Sequence, residues 1–216
     1  MAQQTAYFNP DNYESPDVVG FYLSQKYPAF EKRVLEPTAG TGQLAKWFNK
    51  PDTICFEIDH DRMIKGREIA DKCTWYNQDF LKAQFYTDER YDLIIANPPY
   101  GDDPNRHDRT LPIAFIDKCL DLVTPIGDVI FLLESDYFKS KRRYPLLAEK
   151  GIYLDSVTDL VGRLRFLKNG VPSENQTTRY HSIYSFTRTK RAFTLHNYIQ
   201  ISQLEKQMRD KANAEP

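Results

Sequence analysis

The sequence predicts an α/β fold: a mostly parallel sheet with helices on both faces and a late antiparallel strand. Short apolar runs alternate with segments of helical periodicity, which is typical of βαβ units. The predicted strands are 33–35, 53–58, 93–96, 128–133, 156–160 and 182–187. The last of these alternates apolar and polar residues, so we expect it to be an antiparallel edge strand or a late hairpin strand.

Four apolar residues recur at helical spacing between the third and fourth predicted strands and predict a helix packed on the sheet: Ile113, Ile116, Leu120 and Val123. The Pro-Ile-Gly segment 125–127 is predicted to end this helix. Residues 101–112 lack periodicity and are interpreted as a loop, and residues 162–180 as a second loop or a hairpin. From about Leu195, apolar residues on a polar background predict a surface helix whose end, 211–216, frays.

Length and composition predict one domain over residues 1–195, followed by a C-terminal helix and tail over 196–216. Charges are balanced, with 29 Lys and Arg against 30 Asp and Glu, so contact with a polyanion would depend on local patches. The three cysteines lack metal-ligand spacing, and reduced thiols in a cytoplasmic protein are the simplest interpretation. No segment approaches the ~20 apolar residues of a membrane span, and the polar N-terminus does not resemble a signal peptide.

A glycine-containing turn follows the first predicted strand, in the segment Glu-Pro-Thr-Ala-Gly-Thr-Gly-Gln-Leu-Ala at 36–45. Gly40 and Gly42 allow positive φ and close approach of a ligand to the backbone. With Ala45 they satisfy the relaxed dinucleotide-binding pattern, which alone is also compatible with an ordinary βα turn. Neither Lys-Ser nor Lys-Thr follows, which excludes a phosphate-binding P-loop.

Two acidic positions extend this pattern. Glu57 lies at the end of the second predicted strand, where a carboxylate can accept both hydroxyls of a ribose, and Ile58 can lie on an adenine face. Asp79 and Phe80 could hold the amino edge and the other face of that adenine. Considered alone, Asp79 is more often a turn or N-cap residue, but as the third member of an ordered series it is predicted to bind.

The tetrapeptide Asn97-Pro98-Pro99-Tyr100 follows the apolar run 93–96. Neither proline can donate to a strand ladder, so the chain must leave the sheet there with a stiff backbone. Asn97 is then at the carboxyl end of a strand, where open α/β sheets bind ligands. A rigid backbone carbonyl, a side-chain amide and an aromatic face suit the binding of a planar amino group.

Together these segments resemble the class I S-adenosylmethionine-dependent amino-methyltransferases with an Asn-Pro-Pro-Tyr motif, and most closely the DNA N6-adenine methyltransferases. The similar segments are 13–19, 36–42, 57–59, 79–80, 97–100 and 127–133. The resemblance covers about residues 7–187 and implies a Rossmann-like class I methyltransferase fold with S-adenosyl-L-methionine as the cofactor. It implies one catalytic domain, with a cofactor half at about 10–90 and a substrate half at about 91–195.

The resemblance implies a role for each matching residue. Those implied to bind the cofactor are Tyr13, Ser15, Pro16, Glu36, Pro37, Thr38, Ala39, Gly40, Gly42, Glu57, Ile58, Asp79, Phe80 and Asn97. Those implied to form the catalytic motif are Asn97, Pro98, Pro99 and Tyr100. The Asn97 side chain and the Pro98 carbonyl would accept hydrogen bonds from the target amine. Tyr100 would stack on the extruded base, and a half-buried structural aromatic is the alternative for it. The scattered histidines and cysteines predict no metal site.

Two basic sets are predicted to contact nucleic acid: Lys139, Lys141, Arg142 and Arg143, and then Arg163, Arg165 and Lys168. A solvated helix end or a charged hairpin is the alternative for 139–143. Arg106, in the loop after Tyr100, could close on a phosphate, although acidic neighbours weaken that assignment. Only about thirty residues follow the last predicted strand, so no separate target-recognition domain is expected. Specificity would then come from loops 101–112 and 162–180 or from a partner subunit.

The leading interpretation is methylation of adenine N6 in DNA, which the Ser15-Pro16 element favours over RNA. The same chemistry on adenine N6 in RNA or on a protein glutamine amide remains open. A module that binds the cofactor without catalysis and serves as an interaction partner is a further alternative. A nicotinamide-dependent oxidoreductase would leave residues 97–100 unexplained.

Overall fold

The structure is a computed structural model, and it describes residues 14–100, 109–168, 171–172 and 179–214. Eight strands form one sheet in the order β10-β6-β9-β5-β4-β1-β2-β3. They are β1 (Val34–Glu36), β2 (Thr53–Glu57), β3 (Thr74–Asn77), β4 (Tyr91–Ala96), β5 (Val123–Glu134), β6 (Tyr153–Val161), β9 (His181–Thr187) and β10 (Leu195–Gln200). Two short strands, β7 (Leu167–Lys168) and β8 (Val171–Pro172), pair separately.

Five helices accompany the strands of the described chain: α1 (Asp17–Lys26), α2 (His60–Ile69), α3 (Leu111–Leu122), α4 (Arg143–Glu149) and α5 (Ile201–Ala214). Helix α3 packs on one face of the sheet, where Ile116 joins a buried cluster with Ile94 and Phe131. Helices α1 and α5 cover the other face, where Leu204 joins a cluster with Leu93. The alternation of Leu93 and Ile94 between the two clusters follows from the period of a strand. Both faces are therefore covered, as the sequence predicts.

Strand β9 is antiparallel to both of its neighbours, and all other pairs within this sheet are parallel. This confirms the mostly parallel sheet with a late antiparallel strand. The expectation that this strand lies at an edge is wrong, because β9 lies between β5 and β6. Its polar residues are buried: the Ser182 hydroxyl is hydrogen-bonded to the Ser135 hydroxyl and to Asp159. Paired buried serines therefore produce the alternation that a solvent-facing strand would show.

Three features of the secondary structure differ from the predictions. Helix α3 ends at Leu122, and residues 125–127 lie within β5, where the pairing with β4 shifts register. A bulge is a position where a strand tolerates proline. Strand β3 is mostly exposed and has no apolar run to indicate it. Residues 195–200 form strand β10 along β6, and the predicted C-terminal helix begins only at Ile201.

Strand β1 is an interior strand of the sheet, and the order in which the chain adds strands reverses there. It continues from β1 to β2 and β3 on one side, and β4 then pairs with β1 on the other side. In open α/β sheets, ligands bind outside the carboxyl ends of the strands at such a switch point. The segments that follow Glu36 and Ala96 are therefore placed where a ligand is expected.

Cys55, Cys73 and Cys119 are buried and form no disulfide. Within the described ranges, no helix combines the length and apolar character that crossing a membrane requires.

Candidate active site

The carboxyl ends of four neighbouring parallel strands, β3, β2, β1 and β4, meet at one edge of the sheet. The segments that leave them are 78–80, 58–59, 37–44 and 97–100, which contain most of the predicted cofactor-binding and catalytic residues. Tyr13 and Arg106 lie outside the described residues, as does the side chain of Lys168. We call this side of the sheet, where the parallel strands end, the carboxyl edge.

The turn after β1 has the backbone conformation that its glycines allow. Gly40 has φ +56° and Gly42 has φ +81°, which are left-handed values that favour glycine. A Cβ on Gly42 would lie 3.1 Å from the Gly66 carbonyl oxygen, so the turn also packs closely on α2. A short 3-10 helix, Ala45–Phe48, follows this turn.

Glu57 holds the glycine turn in place. Its Oε2 accepts from the Gly40 N–H at 2.7 Å, and its Oε1 accepts from the Asp59 N–H at 2.8 Å. Burial raises the pKa of the Glu57 carboxyl, and the charge of Arg62 partly opposes that shift. Each carboxylate oxygen has further acceptor capacity, which is the property needed to bind ribose hydroxyls.

Lys118 on α3 organises the segment that begins at Asp79. Its ammonium donates to the carbonyl oxygens of Phe80 at 2.6 Å, Leu81 at 3.1 Å and Ala83 at 2.6 Å. Asp79 Oδ1 accepts from the Leu81 N–H at 2.9 Å. Sequence reasoning did not identify Lys118, because the carbonyls that it binds are more than thirty residues away in the chain.

The two predicted adenine faces are placed differently. Ile58 is 38% exposed and lies at the carboxyl edge. Phe80 is only 2% exposed, and its ring is stacked on Phe115 at a centroid distance of 5.8 Å. In this arrangement Phe80 supports the wall of the site from within the core, and its predicted contact with a cofactor face would need the ring to move.

Asn97 is held by a residue from the start of the described chain. Its Nδ2 donates to the Ser15 hydroxyl oxygen at 3.0 Å. Ser15 is buried, and Pro16 directly precedes α1. With Nδ2 bonded to Ser15, Oδ1 is the part of the amide that remains to accept from a target amine. The N-terminal element at Ser15 and the Asn-Pro-Pro-Tyr motif are thus in direct contact.

Tyr100 is fixed at both its hydroxyl and its ring. The hydroxyl oxygen accepts from the Glu134 N–H at 2.8 Å, and the ring centroid lies 5.5 Å from that of Tyr137. Burial raises the pKa of the Tyr100 hydroxyl, and the charge of Glu134 adds to that shift. The Arg109 guanidinium lies 4.3 Å from the Tyr100 ring centroid and forms two hydrogen bonds with the Glu134 carboxylate. Sequence reasoning did not identify Glu134, although an acidic residue that ends a buried strand beside β4 is a signal that could have found it.

The topology brings both basic sets to the carboxyl edge, because β5 and β6 end there and antiparallel β9 begins there. Lys139, Lys141 and Arg142 are exposed. Arg143 is half-buried, and its Nε donates to the Tyr137 carbonyl oxygen at 2.7 Å. In the second set, Arg165 is exposed and the Arg163 guanidinium lies 5.6 Å from the Tyr180 ring centroid. Phe166, in the same segment, is buried in the core.

Comparison with known proteins identifies the fold family of the chain. No family model and no curated protein sequence matches the chain. One similar solved structure, from Pyrococcus horikoshii, is provisionally described as an RNA methyltransferase; it is 17% identical, with a TM-score of 0.61 and coverage of 87% of this chain and 94% of that one. Another, from Listeria monocytogenes, is provisionally described as a class I S-adenosylmethionine-dependent methyltransferase; it is 15% identical, with a TM-score of 0.61 and coverage of 97% and 72%.

The chain has the class I methyltransferase fold. S-adenosylmethionine, which the description of the Listeria monocytogenes protein names, is therefore the cofactor to test against this site. A third similar structure is the methyltransferase subunit of a type I restriction-modification system from Streptococcus thermophilus, at 14% identity and a TM-score of 0.63. The match covers 99% of this chain and 56% of that subunit, so the chain spans little more than half of its length.

The polar atoms around the glycine turn test whether this class I methyltransferase fold can hold that cofactor. Eight buried side-chain atoms of the described residues lack a hydrogen-bond partner, and four of them surround the predicted site: Glu36 Oε2, Thr38 Oγ1, Thr41 Oγ1 and Asp79 Oδ2. Asp79 Oδ2 has an ion-pair contact with Lys82 at 3.5 Å. Buried polar atoms are normally hydrogen-bonded. A ligand with ammonium, carboxylate and amino groups would satisfy these atoms, so the residues fit S-adenosylmethionine.

Glu36 is the most deeply buried of these groups. The residue is 2% exposed, and burial raises the pKa of its carboxyl well above the usual range, with the charges of Cys73 and Glu57 adding to the shift. A cationic group beside Glu36 would restore its ionised form. Metal ligation has no comparable basis, because the described part of the chain contains no group of three His, Cys, Asp or Glu residues that could hold an ion.

Proposed function

We propose that this chain is an S-adenosylmethionine-dependent N-methyltransferase that acts on adenine N6 in DNA, as site-specific DNA adenine methyltransferases do. The observation that carries the proposal is the Ser15–Asn97 hydrogen bond, which orients the amide of the Asn-Pro-Pro-Tyr motif. Asn97 follows β4, the strand that pairs with β1, and the cofactor-fitting turn follows β1. An acceptor for a substrate amine is therefore placed beside the expected source of the methyl group.

The chemistry requires the residues at these positions. An exocyclic adenine nitrogen is a poor nucleophile, because its lone pair is delocalised into the ring. Asn97 Oδ1 and the Pro98 carbonyl would accept its two hydrogens and favour a pyramidal nitrogen with a localised lone pair. The cofactor, when bound, supplies an electrophilic methyl group on a sulfonium. The nitrogen forms the new N–C bond, the electrons of the old C–S bond remain on sulfur, and the nitrogen then loses a proton to solvent.

Orientation of the two reactants provides the rest of the rate enhancement. Holding two reactants in near-attack geometry replaces a bimolecular encounter, and no covalent enzyme intermediate is needed. The stiff Pro98-Pro99 backbone and the Ser15 contact limit the motion of Asn97. Tyr100, whose hydroxyl is anchored on the Glu134 backbone, would provide the stacking platform for a base taken out of a duplex.

Nucleic acid is supported as the substrate by the exposed cations Lys139, Lys141, Arg142 and Arg165 at the carboxyl edge. Cations with interleaved aromatics are typical of nucleic-acid grooves. The Ser15-Pro16 element and the similarity to a restriction-modification methyltransferase subunit favour DNA. The same similarity supports a partner subunit that supplies sequence specificity.

Methylation of adenine N6 in RNA is the second candidate. One observation favours it: the Pyrococcus horikoshii protein provisionally described as an RNA methyltransferase is covered over 94% of its own length, so it is of similar size. The geometry of Asn97 and Tyr100 suits either polymer.

Methyl transfer from tritiated S-adenosylmethionine separates these candidates. Duplex DNA, single-stranded DNA, RNA and cell protein are offered in parallel, and we expect label in DNA. Label only in RNA would support the second candidate, and label only in protein would support a glutamine amide. If no polymer is labelled although calorimetry shows that the cofactor binds, the chain is a non-catalytic module.

A further inference from the structure

The stacking face proposed for a base on Tyr100 is covered by another residue of the chain. The Arg109 guanidinium lies 4.3 Å from the Tyr100 ring centroid. Cations bind aromatic faces at this separation through the ring quadrupole. A base could not stack on the same face while the guanidinium is there.

Arg109 is held in this position by several contacts. Its Nη1 and Nη2 donate to the two carboxylate oxygens of Glu134 at 3.0 and 2.8 Å. The Tyr137 hydroxyl donates to the backbone carbonyl oxygen of Arg109. Its φ is +48°, a conformation uncommon outside glycine. The position of Arg109 is thus specified by the surrounding structure, unlike that of an ordinary surface arginine.

Glu134 contacts both Tyr100 and Arg109. Its backbone N–H binds the Tyr100 hydroxyl, and its carboxylate binds Arg109. The carboxylate also lies near a second cation, since Arg179 Nη1 is 3.4 Å from Glu134 Oε2. If Arg109 leaves, Glu134 keeps a positive partner. This removes much of the penalty that a buried, unpaired carboxylate would carry.

We propose that Arg109 occupies the stacking face of Tyr100 in the free enzyme and is displaced by the target base, while Glu134 remains paired with Arg179. This inference rests on the proposed function, because it takes Tyr100 as the platform for the base. Arg109 is then a specificity-determining residue. A nucleobase replaces the lost cation–π contact with stacking of its own, whereas the aliphatic side chain and small amide of a protein glutamine would not. Arg109 in this position therefore selects a planar aromatic substrate.

The contribution of the base to binding tests the proposal. The probe is a short single-stranded oligonucleotide with one adenine in mixed pyrimidine flanks, compared with the same strand carrying an abasic site at that position. Fluorescence anisotropy with protein saturated in S-adenosylhomocysteine gives the two Kd values. Their ratio, abasic over adenine, measures what the base adds to binding less the cost of displacing Arg109.

In Arg109→Ala the base no longer displaces a cation, so the ratio should rise about three- to thirtyfold over wild type. Glu134→Gln should raise it in the same direction by less, because a neutral amide holds the guanidinium less well. This second variant keeps the backbone N–H that anchors Tyr100, and it carries the test if Arg109→Ala does not fold. Arg191→Ala is the matched control: Arg191 pairs with Asp155 at 2.6 Å near the opposite ends of β9 and β6, so the ratio should not change.

The outcomes distinguish a failure of the Arg109 displacement from a failure of the proposed function. A ratio near one in wild type, Arg109→Ala and Glu134→Gln alike means that the base has no site, and the proposed function fails together with this inference. A wild-type ratio well above one that stays the same in both Arg109→Ala and Glu134→Gln overturns the displacement alone. A ratio that falls in those variants also overturns it, because Arg109 would then be a binding partner of the base.

Discussion

The Ser15 hydroxyl oxygen accepts a hydrogen bond from Asn97 Nδ2 at 3.0 Å, although the two residues are 82 positions apart in the chain. Ser15 is predicted to bind the cofactor, and Asn97 is predicted to contact both the cofactor and the substrate amine. Their contact links the two halves of the site, so a change at Ser15 should reach the reacting nitrogen through the Asn97 amide.

The first prediction concerns this positioning role. Ser15→Ala should lower kcat about ten- to a hundredfold, because a freely rotating Asn97 amide presents its oxygen to the amine only part of the time. Ser15→Thr keeps a hydroxyl and should restore most of the rate. Steady-state kinetics with varied cofactor provide the measurement. If Ser15→Ala changes only the KM for S-adenosylmethionine, Ser15 serves the cofactor alone.

The second prediction concerns Glu36 and pH. Burial raises the pKa of this carboxyl in the folded state, so its contribution to stability is complete below the ordinary carboxyl pKa and is lost as pH rises through the raised value. Glu36→Gln removes that loss. The free energy of unfolding of the variant, measured in urea without cofactor, should exceed that of wild type at pH 8, and the difference should shrink towards pH 4.

The same Glu36→Gln variant should bind S-adenosylmethionine at least about tenfold more weakly at pH 8, since a neutral amide replaces the partner proposed for an ammonium group. Isothermal calorimetry checks this. Unchanged affinity would place the cofactor ammonium elsewhere, whatever the stability result.

The third prediction concerns acid stability. Burial lowers the pKa of His181 to about 4, and its Nδ1 has no hydrogen-bond partner among the described residues. A depressed folded pKa means that this histidine contributes stability above its unfolded pKa, which is lost as pH falls from about 6.5 towards 4. His181→Phe should flatten this part of the pH–stability curve. An equally steep fall in the variant would assign the acid sensitivity to other groups.

The fourth prediction concerns Lys118, which donates to three carbonyls of the segment after Asp79. Lys118→Met keeps the length of the side chain and leaves those carbonyls without their donor. The free energy of unfolding should fall by about 1–3 kcal/mol. Cofactor affinity should fall as well, because Asp79, which is proposed to bind the adenine, is no longer held in position. Lys65→Met, on the exposed surface of α2, is the control for loss of one charge.

Much of this architecture can be predicted from the sequence, because short segments of the chain indicate it. The apolar runs that became the core of β2, β4 and β5 can be recognised without tertiary information. The positive φ values at Gly40 and Gly42 follow from the residue type. The placement of the Asn97 tetrapeptide at the carboxyl edge follows from two prolines after a buried strand.

The parts that were not predicted depend on contacts between distant residues. Strands β3 and β10 lie at the two edges of the sheet, and their exposed side chains resemble those of loops and surface helices. The Arg109–Glu134 ion pair joins residues 25 positions apart, and neither pattern nor composition indicates it. The burial of Phe80 was missed because an aromatic beside Asp79 suits a ligand face and a core contact equally well.

The central claim is that Asn97 receives the target amine. Mass spectrometry of DNA incubated with S-adenosylmethionine measures this directly, by comparing N6-methyladenine formed by wild type, by Asn97→Ala and by the control Asn197→Ala on β10. We predict N6-methyladenine with wild type and with Asn197→Ala, and none with Asn97→Ala, whose cofactor affinity by calorimetry should be nearly that of wild type. Equal amounts of product from Asn97→Ala and wild type would contradict the role assigned to Asn97.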